Sequence, residues 1–310
     1  MITKSSSRQD LPGAVGGICD PEGLSRQLAC WNSRRLAPGE PSEDWSARLQ
    51  EDARMRWLET AWIEGLRETV AAEAACVPVD PTDFVRWFEE LKQSGPGQGD
   101  ALFPWLERDA LRPEMEWFLT QEAAGEAGFD DLVAMTQVKV PTAAKLELAR
   151  NYWDELGRGN EGGMHGPMLD KVVQTLDLRP TIDGTVWQSL ALANTLTAFA
   201  TVRRYAWHSI GALGVVELTA PGRVAAVAAG LKRLGYPPVV RKYFELHAHL
   251  DVQHSQAWNA NVLEPLVAED PSRARFIAEG ALLRLTCGAW CFDAYRAHLW
   301  QSPERRLAAE

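Results

Sequence analysis

The segment ELHAHLDVQH, residues 245–254, is the strongest chemical signal in the chain. On a helix His247 and Asp251 are four residues apart and Asp251 and His254 three, so all three side chains stack along one face. Phe244 and Trp258 continue that stripe, which marks it as the buried side. A single buried histidine is usually a hydrogen-bonded core residue. Two imidazoles and a carboxylate buried together are costly unless something compensates them, and a cation does so. His249 points away from the stripe and reads as a surface or supporting residue.

Further oxygen ligands must then come from other helices, and acidic residues sit on otherwise apolar stripes. Glu217 follows Ile210, Leu213 and Gly214 in SIGALGVVEL and has no basic partner at helical spacing, although alone it could be a helix-end or surface residue. Glu155 shares a stripe with Leu148 and Tyr152; its plainer reading is a solvated pair with Asp154. His165 stands ten residues on, beyond GRGNEGG, too far for one helical face. An interruption at residues 157–163 could bring it back over the same point. Glu122 precedes the turn at residues 138–141 by about 16 residues and Glu155 follows it by about 14, roughly 24 and 21 Å along antiparallel helices, hence at one height. Glu126 competes with Glu122 for that place. Glu122 is preferred because it shares the stripe of Met115, Phe118, Leu119 and Phe129.

Four carboxylates (Glu122, Glu155, Glu217, Asp251) and three histidines (His165, His247, His254) make a dinuclear complement. Imidazole and carboxylate without thiolate suit iron or manganese and disfavour structural zinc or iron–sulfur clusters. The ferritin-like pattern needs a Glu-x-x-His pair on two helices, and the chain contains none.

The elements that must position these groups are helical throughout. Periodicity places helices near 112–138, 142–157, 164–177, 185–206, 208–219, 222–234, 239–260 and 271–300, separated by Pro141, the glycines of 157–163, Pro180 to Gly184, Pro221, the segment 235–238 and Pro271. No stretch alternates like a strand for more than a few residues. Upstream, residues 1–40 are rich in Gly, Pro and Ser and read as a partly ordered arm. Residues 43–75 carry Trp45, Trp57, Leu58, Trp62 and Leu66 at the spacing of one or two helices, and a further helix opens at Pro81 and stops at Ser94–Gly97. The expectation is an all-α bundle in two parts: an N-terminal arm and helical extension over 1–100 and the ligand-bearing domain over 101–310.

Composition narrows the function. The 310 residues carry 32 Lys+Arg against 42 Asp+Glu, a formal charge of −10, which argues against affinity gained by neutralising phosphates. No nucleic acid partner is expected. The N-terminal residues lack an apolar leader core and no uninterrupted apolar run approaches a membrane span, so the expected location is cytoplasmic and no membrane partner is expected. Five cysteines at no metal-binding spacing indicate neither a disulfide framework nor a zinc ribbon, and Cys287 and Cys291, one turn apart, read as core packing. Thirteen tryptophans suit a helical interior, and some could line a pocket for an apolar substrate. For an acidic substrate, Arg203, Arg204 and Arg241 are available.

Taken in order, Glu122 in QEAAGEAGF, Glu155 and His165 in NYWDELGRGNEGGMHGPML, Glu217 in IGALGVVEL and the trio in HAHLDVQH resemble the ligand series of the haem-oxygenase-like diiron oxidases and oxygenases, also called iron-containing redox enzymes. The resemblance runs from about Phe103 to Trp300. It implies a haem-oxygenase-like seven-helix bundle binding two Fe(II)/Fe(III) ions, with O2 as co-substrate. It further implies oxidation of a small amino-acid-derived or carboxylic-acid substrate, by N-oxygenation, oxidative C–C cleavage or decarboxylation, frequently in natural-product biosynthesis. The implied division puts Glu122, Glu155 and His165 on one iron, His247, Asp251 and His254 on the other, and Glu217 between them. Phe244, Trp258 and the glycines before His165 would control access. A homodimer is the state the resemblance favours. The alternatives are a metal-free or haem-binding enzyme on the same scaffold, or a non-catalytic helical binding module.

Overall fold

A computed structural model describes residues 19–41 and 44–301. Its elements are α1 (Pro21–Leu36), α2 (Trp45–Ala74), α3 (Pro81–Ser94), α4 (Leu102–Arg108), α5 (Arg112–Gly125), α6 (Phe129–Thr136), α7 (Thr142–Glu155), α8 (His165–Thr175), α9 (Trp187–Thr201), α10 (Ala206–Arg233), α11 (Pro238–Trp258), α12 (Glu264–Glu269) and α13 (Arg273–Leu299). Short 3-10 turns join α7 to α8 and α9 to α10, and a π-helical turn, Asn259–Leu263, joins α11 to α12. No strand occurs among the described residues, so the architecture is all-α as the periodicity requires.

Four expectations are corrected. Residues 1–18 of the expected arm lie outside the described residues, but from Pro21 onward the chain is helical. Asp20 caps α1 by accepting the Gly23 N–H at 2.9 Å, and Leu24, Leu28 and Trp31 bury its inner face. The helix expected over 112–138 is two helices, because Glu126 is extended and Gly128 adopts φ 72°. The helices expected over 208–219 and 222–234 are one, with the buried Pro221 inside α10. Proline there removes a donor and frees the Glu217 carbonyl, and packing against α11 and α13 carries the helix through. The helix expected to end near 260 continues through the π turn into α12.

The long α10 is the central element. A Cβ on Gly211 would stand 1.8 Å from the Ile277 carbonyl oxygen, and one on Gly280 1.9 Å from that of His208, so only glycine at both places lets α10 and α13 cross this closely. By length and composition α10 is also apolar enough to span a membrane, but most of that apolar surface is buried within the protein.

Two buried apolar clusters make up the interior, and α10, α11 and α13 pass through both. In α10, Ile210, Leu213 and Leu218 belong to one cluster and Val227, Ala228 and Leu231 to the other. In α11, Phe244 belongs to the second and Trp258 to the first. The N-terminal helices join the first cluster through Trp31, Trp62 and Phe88. His247, Asp251 and His254 fall between the two apolar stretches of α11, and Glu217 stands at the end of the first stretch of α10 beside Leu218, which places the polar site at the junction of the clusters.

Candidate metal centre

A cavity of about 190 Å3 opens between α5, α7, α8, α10 and α11. Glu122, Glu155, His165, Glu217, His247 and Asp251 line it; His254 stands behind Glu217. All seven expected residues therefore meet in one region.

The Gly-rich turn supplies His165. Gly157 adopts φ 60°, and a Cβ there would lie 2.4 Å from the Gly163 carbonyl carbon, so the chain reverses tightly. This reversal sets His165 Nδ1 2.5 Å from Glu155 Oε2. The imidazole of His247 lies against that of His165, with ring centroids 4.4 Å apart at 71°. Candidate ligand atoms of Glu155, His165 and His247 lie within 4.8 Å of one another, as do those of Glu155, Glu217 and His254. Glu155 is common to both groups. The geometry thus sets His247 beside His165 rather than beside His254, unlike the division implied by resemblance, and gives the shared place to Glu155. Asp251 and Glu122 reach the cavity without joining either compact group.

Hydrogen bonds fix which ring nitrogen faces inward. His247 Nδ1 donates to the Tyr243 carbonyl at 2.7 Å, which frees Nε2. His254 Nε2 donates to Asp154 Oδ2 at 3.2 Å and turns Nδ1 towards Glu217 Oε2, 3.4 Å away. A carboxylate or carbonyl behind the imidazole is how metal-binding histidines are oriented. Asn151 Nδ2 donates to Glu217 Oε1 at 2.7 Å. The buried Nδ1 atoms of His165 and His254 and Oδ1 of Asp251 have no hydrogen-bond partner. Despite its short separation from Glu155, His165 does not aim an N–H at it; the two converge on shared space. These unsatisfied nitrogen and oxygen atoms fit a cation.

Electrostatics agree. Burial, reinforced by Glu217, pushes the Glu155 carboxyl well above its usual range. Burial, then Glu217 and Glu155, pushes Asp251 to about 10. Burial lowers His165 and His247 to about 4, with the neighbouring imidazoles His254 and His165 adding respectively. For His254 burial is outweighed by Glu217 and Asp154, and its pKa rises to about 9. Asp251 and His254 hold protons where a cation would otherwise balance the carboxylates, while His165 and His247 stay neutral and free to bind one.

Glu122 accepts from the Tyr295 hydroxyl at 2.9 Å, and Glu126 accepts from the Phe129 N–H at 3.0 Å; both carboxylates face the cavity. Burial raises both. The sequence reading missed Asp154, Asn151 and Tyr243. Asn151 stands four residues before Glu155 on the same side of α7, a spacing that could have marked it, whereas Asp154 directly precedes Glu155. His249 is exposed, as expected.

Other expectations change. No tryptophan lines this cavity. Trp258 packs against Gly214 in the apolar core, while Phe244 does line the wall. Cys287 and Cys291 are buried packing residues. None of the three arginines considered for substrate reaches the cavity. Arg203 donates to the carbonyls of Met135, Thr136 and Val138, Arg204 to Glu64 at 3.0 Å, and Arg241 pairs with Glu245 at 3.1 Å.

No curated protein matches the chain. Residues 116–289, more than half of its length and the span that holds all seven of these residues, match a family described as iron-containing redox enzymes. With a buried set of imidazole and carboxylate donors fitting a metal in that span, the chain belongs to the iron-containing redox enzyme family and is an iron-dependent oxidoreductase.

Proposed function

We propose that the chain is a cytoplasmic non-haem diiron enzyme that uses O2 to oxidise a small molecule. The observation that carries this reading is the pair of compact donor groups sharing Glu155, one with His165 and His247 and the other with Glu217 and His254. Two irons held there would supply the electrons that O2 needs and the oxidising power that acts on the substrate. Asp251, and Glu122 or Glu126, add carboxylates at the cavity face, where an anionic oxygen can change its mode of binding as the charge of the centre changes.

The chain's own groups set the conditions for that chemistry. Asp154 and the Tyr243 carbonyl hold the His254 and His247 rings in one tautomer and one orientation. Asn151 fixes one Glu217 oxygen and leaves the other free. Leu119, Leu169, Val172 and Phe244 form an apolar wall that excludes water from the reacting region.

Anaerobic titration of the metal-free protein with Fe(II), followed by O2, tests the proposal. Two irons per chain and O2 uptake dependent on iron are expected. Binding of less than one iron per chain overturns it, as does a Soret band on adding haem with no response to Fe(II).

A further inference from the structure

A smaller space of about 110 Å3, walled by Phe103, Phe118, Phe244 and Phe292, adjoins the cavity and shares Glu122, Ala220, Val224 and Phe244 with it. Two guanidinium groups open into it, Arg223 from α10 and Arg284 from α13. Neither has a carboxylate at ion-pair distance among the described residues. Arg223 is tied only to the Thr219 carbonyl and hydroxyl, at 3.0 and 2.5 Å, with Phe292 5.5 Å below its plane. Arg284 is held still less: its buried Nε and Nη1 have no hydrogen-bond partner.

This is an expensive arrangement. Burial, and then the charge of Arg284, draws the Arg223 pKa down to about 9, and burial lowers that of Arg284. Buried cations are ordinarily paired, and a guanidinium presents a planar fork of donors that matches a carboxylate. Glu122 is the one carboxylate among the lining residues, and it is engaged by the Tyr295 hydroxyl at 2.9 Å. The pair is therefore one anion short. The fold makes room for the Arg284 guanidinium at this place: a Cβ on Gly288 would stand 2.8 Å from its Nη1.

We infer that Arg223 and Arg284 bind the carboxylate of the substrate, anchoring an anionic head among the phenylalanines and presenting an apolar body past Glu122 to the metal-binding residues. Arg223 follows Glu217 by six residues of α10, an axial rise of about 9 Å. The carboxylate is then a handle held away from the centre, and the carbon that is oxidised lies several bonds from it. The substrate class is a monocarboxylate with an apolar chain or ring. This assignment rests on the proposed oxidase reading for what happens at the other end of the cavity, but the binding itself does not need a metal.

The test is calorimetric titration of the full chain, metal-free and Mn(II)-loaded, with hexanoate, octanoate and 3-phenylpropanoate, each beside its methyl ester, and with inorganic phosphate. At least one acid should bind tenfold or more tighter than its ester and than phosphate. Arg284→Met and Arg223→Met should each weaken that acid at least tenfold and leave the ester unchanged. Neither variant should lower the melting temperature, because each removes an unpaired buried charge. Gly288→Ala, which favours the helix but crowds the guanidinium, should weaken acid binding while the fold holds. Acid, ester and phosphate binding alike, no binding of any acid, or variants that leave the ratio unchanged would each overturn the inference. Mn(II) stoichiometry in the same samples separates the two readings. Acid binding without metal binding rejects the diiron proposal alone; metal binding without acid binding rejects the arginine site alone.

Discussion

Replacing Asp251 by asparagine should stabilise the metal-free protein and reduce the stabilisation that metal confers. Asp251 is buried beside Glu217 and Glu155, and its pKa is about 10 in the folded chain against about 3.9 when unfolded. Between those values the folded chain keeps a proton that the unfolded chain releases. Stability is therefore full below the unfolded pKa and falls as pH rises, by about 1.4 kcal/mol per unit, to a loss of about 4 kcal/mol at pH 7. Asparagine keeps the size and carries no proton to exchange, so that loss disappears. For a chain of this length the gain corresponds to a rise in melting temperature on the order of 6 °C at pH 7.

Urea unfolding of both proteins from pH 5 to 9, with and without Mn(II), reads the effect. The wild type should lose stability steadily across the range. Its His254, raised to about 9, adds a loss of the same sign as pH rises from its unfolded value through the folded one. The slope of the variant should be shallower by about 1.4 kcal/mol per pH unit. Mn(II) should flatten the wild-type curve, because a bound cation displaces the proton, and should stabilise the variant less at equal concentration. Parallel pH profiles for the two metal-free proteins would refute the reasoning, since Asp251 would then not be desolvated beside two other acids.

Asp154→Asn should weaken metal binding about 10- to 100-fold without changing helical content, because the His254 ring loses the carboxylate that orients it; Mn(II) titration by calorimetry checks this. Gly157→Ala forces a side chain into φ 60° and against Gly163, which should displace His165 and lower the metal stoichiometry measured by elemental analysis while His254 and Glu217 still bind. Glu279 joins Arg67 of α2 at 2.7 Å to His208 of α10 at 2.9 Å and also accepts from Arg275 at 3.0 Å; Arg67 keeps Glu64 as a second partner, so Glu279→Leu should cost about 1–3 kcal/mol in urea unfolding by removing the acceptor these groups share. Burial opposes ionisation of Glu279, but His208 and Arg67 outweigh it and hold its pKa to about 2. Its contribution is therefore intact above the usual glutamate pKa and lost as pH falls towards 2, a loss the variant should not show.

Much of the centre was legible because a polar group on an apolar helical stripe contradicts its surroundings. His247, Asp251 and His254 interrupt a stripe that Phe244 and Trp258 define, and the helix period alone sets them side by side. The reach from Glu155 to His165 was legible from its glycines, since a chain that must reverse within eight residues needs positive φ. The height argument for Glu122 used a straight helix through residue 138. Gly128 breaks that helix, so Glu122 and Glu126 both reach the cavity by a geometry that counting residues could not give. Pro221 misled for the opposite reason: a lost hydrogen bond ordinarily ends a helix, but here α11 and α13 hold both sides of it. Asp154 reads as a solvated acid and half of it is one, since Arg158 takes Oδ1 at 2.6 Å while Oδ2 turns inward to His254.

Arg223 and Arg284 show where sequence reading ends and why. An arginine on a helix reads as surface because burying its charge unpaired is costly, so its type predicts the wrong side of the fold. Arg203 and Arg204 obey that rule, and the half-buried Arg241 is paired with Glu245. The two that break it do so from helices whose closest crossing depends on Gly211 and Gly280, so their meeting is a property of the α10–α13 interface rather than of either segment. The same crossing positions Glu217 through α10 and Tyr295, which holds Glu122, through α13. One packing contact thus sets both ends of the cavity, and a substitution that spread these helices would loosen carboxylate recognition and metal binding together, even though no residue at the crossing touches either ligand.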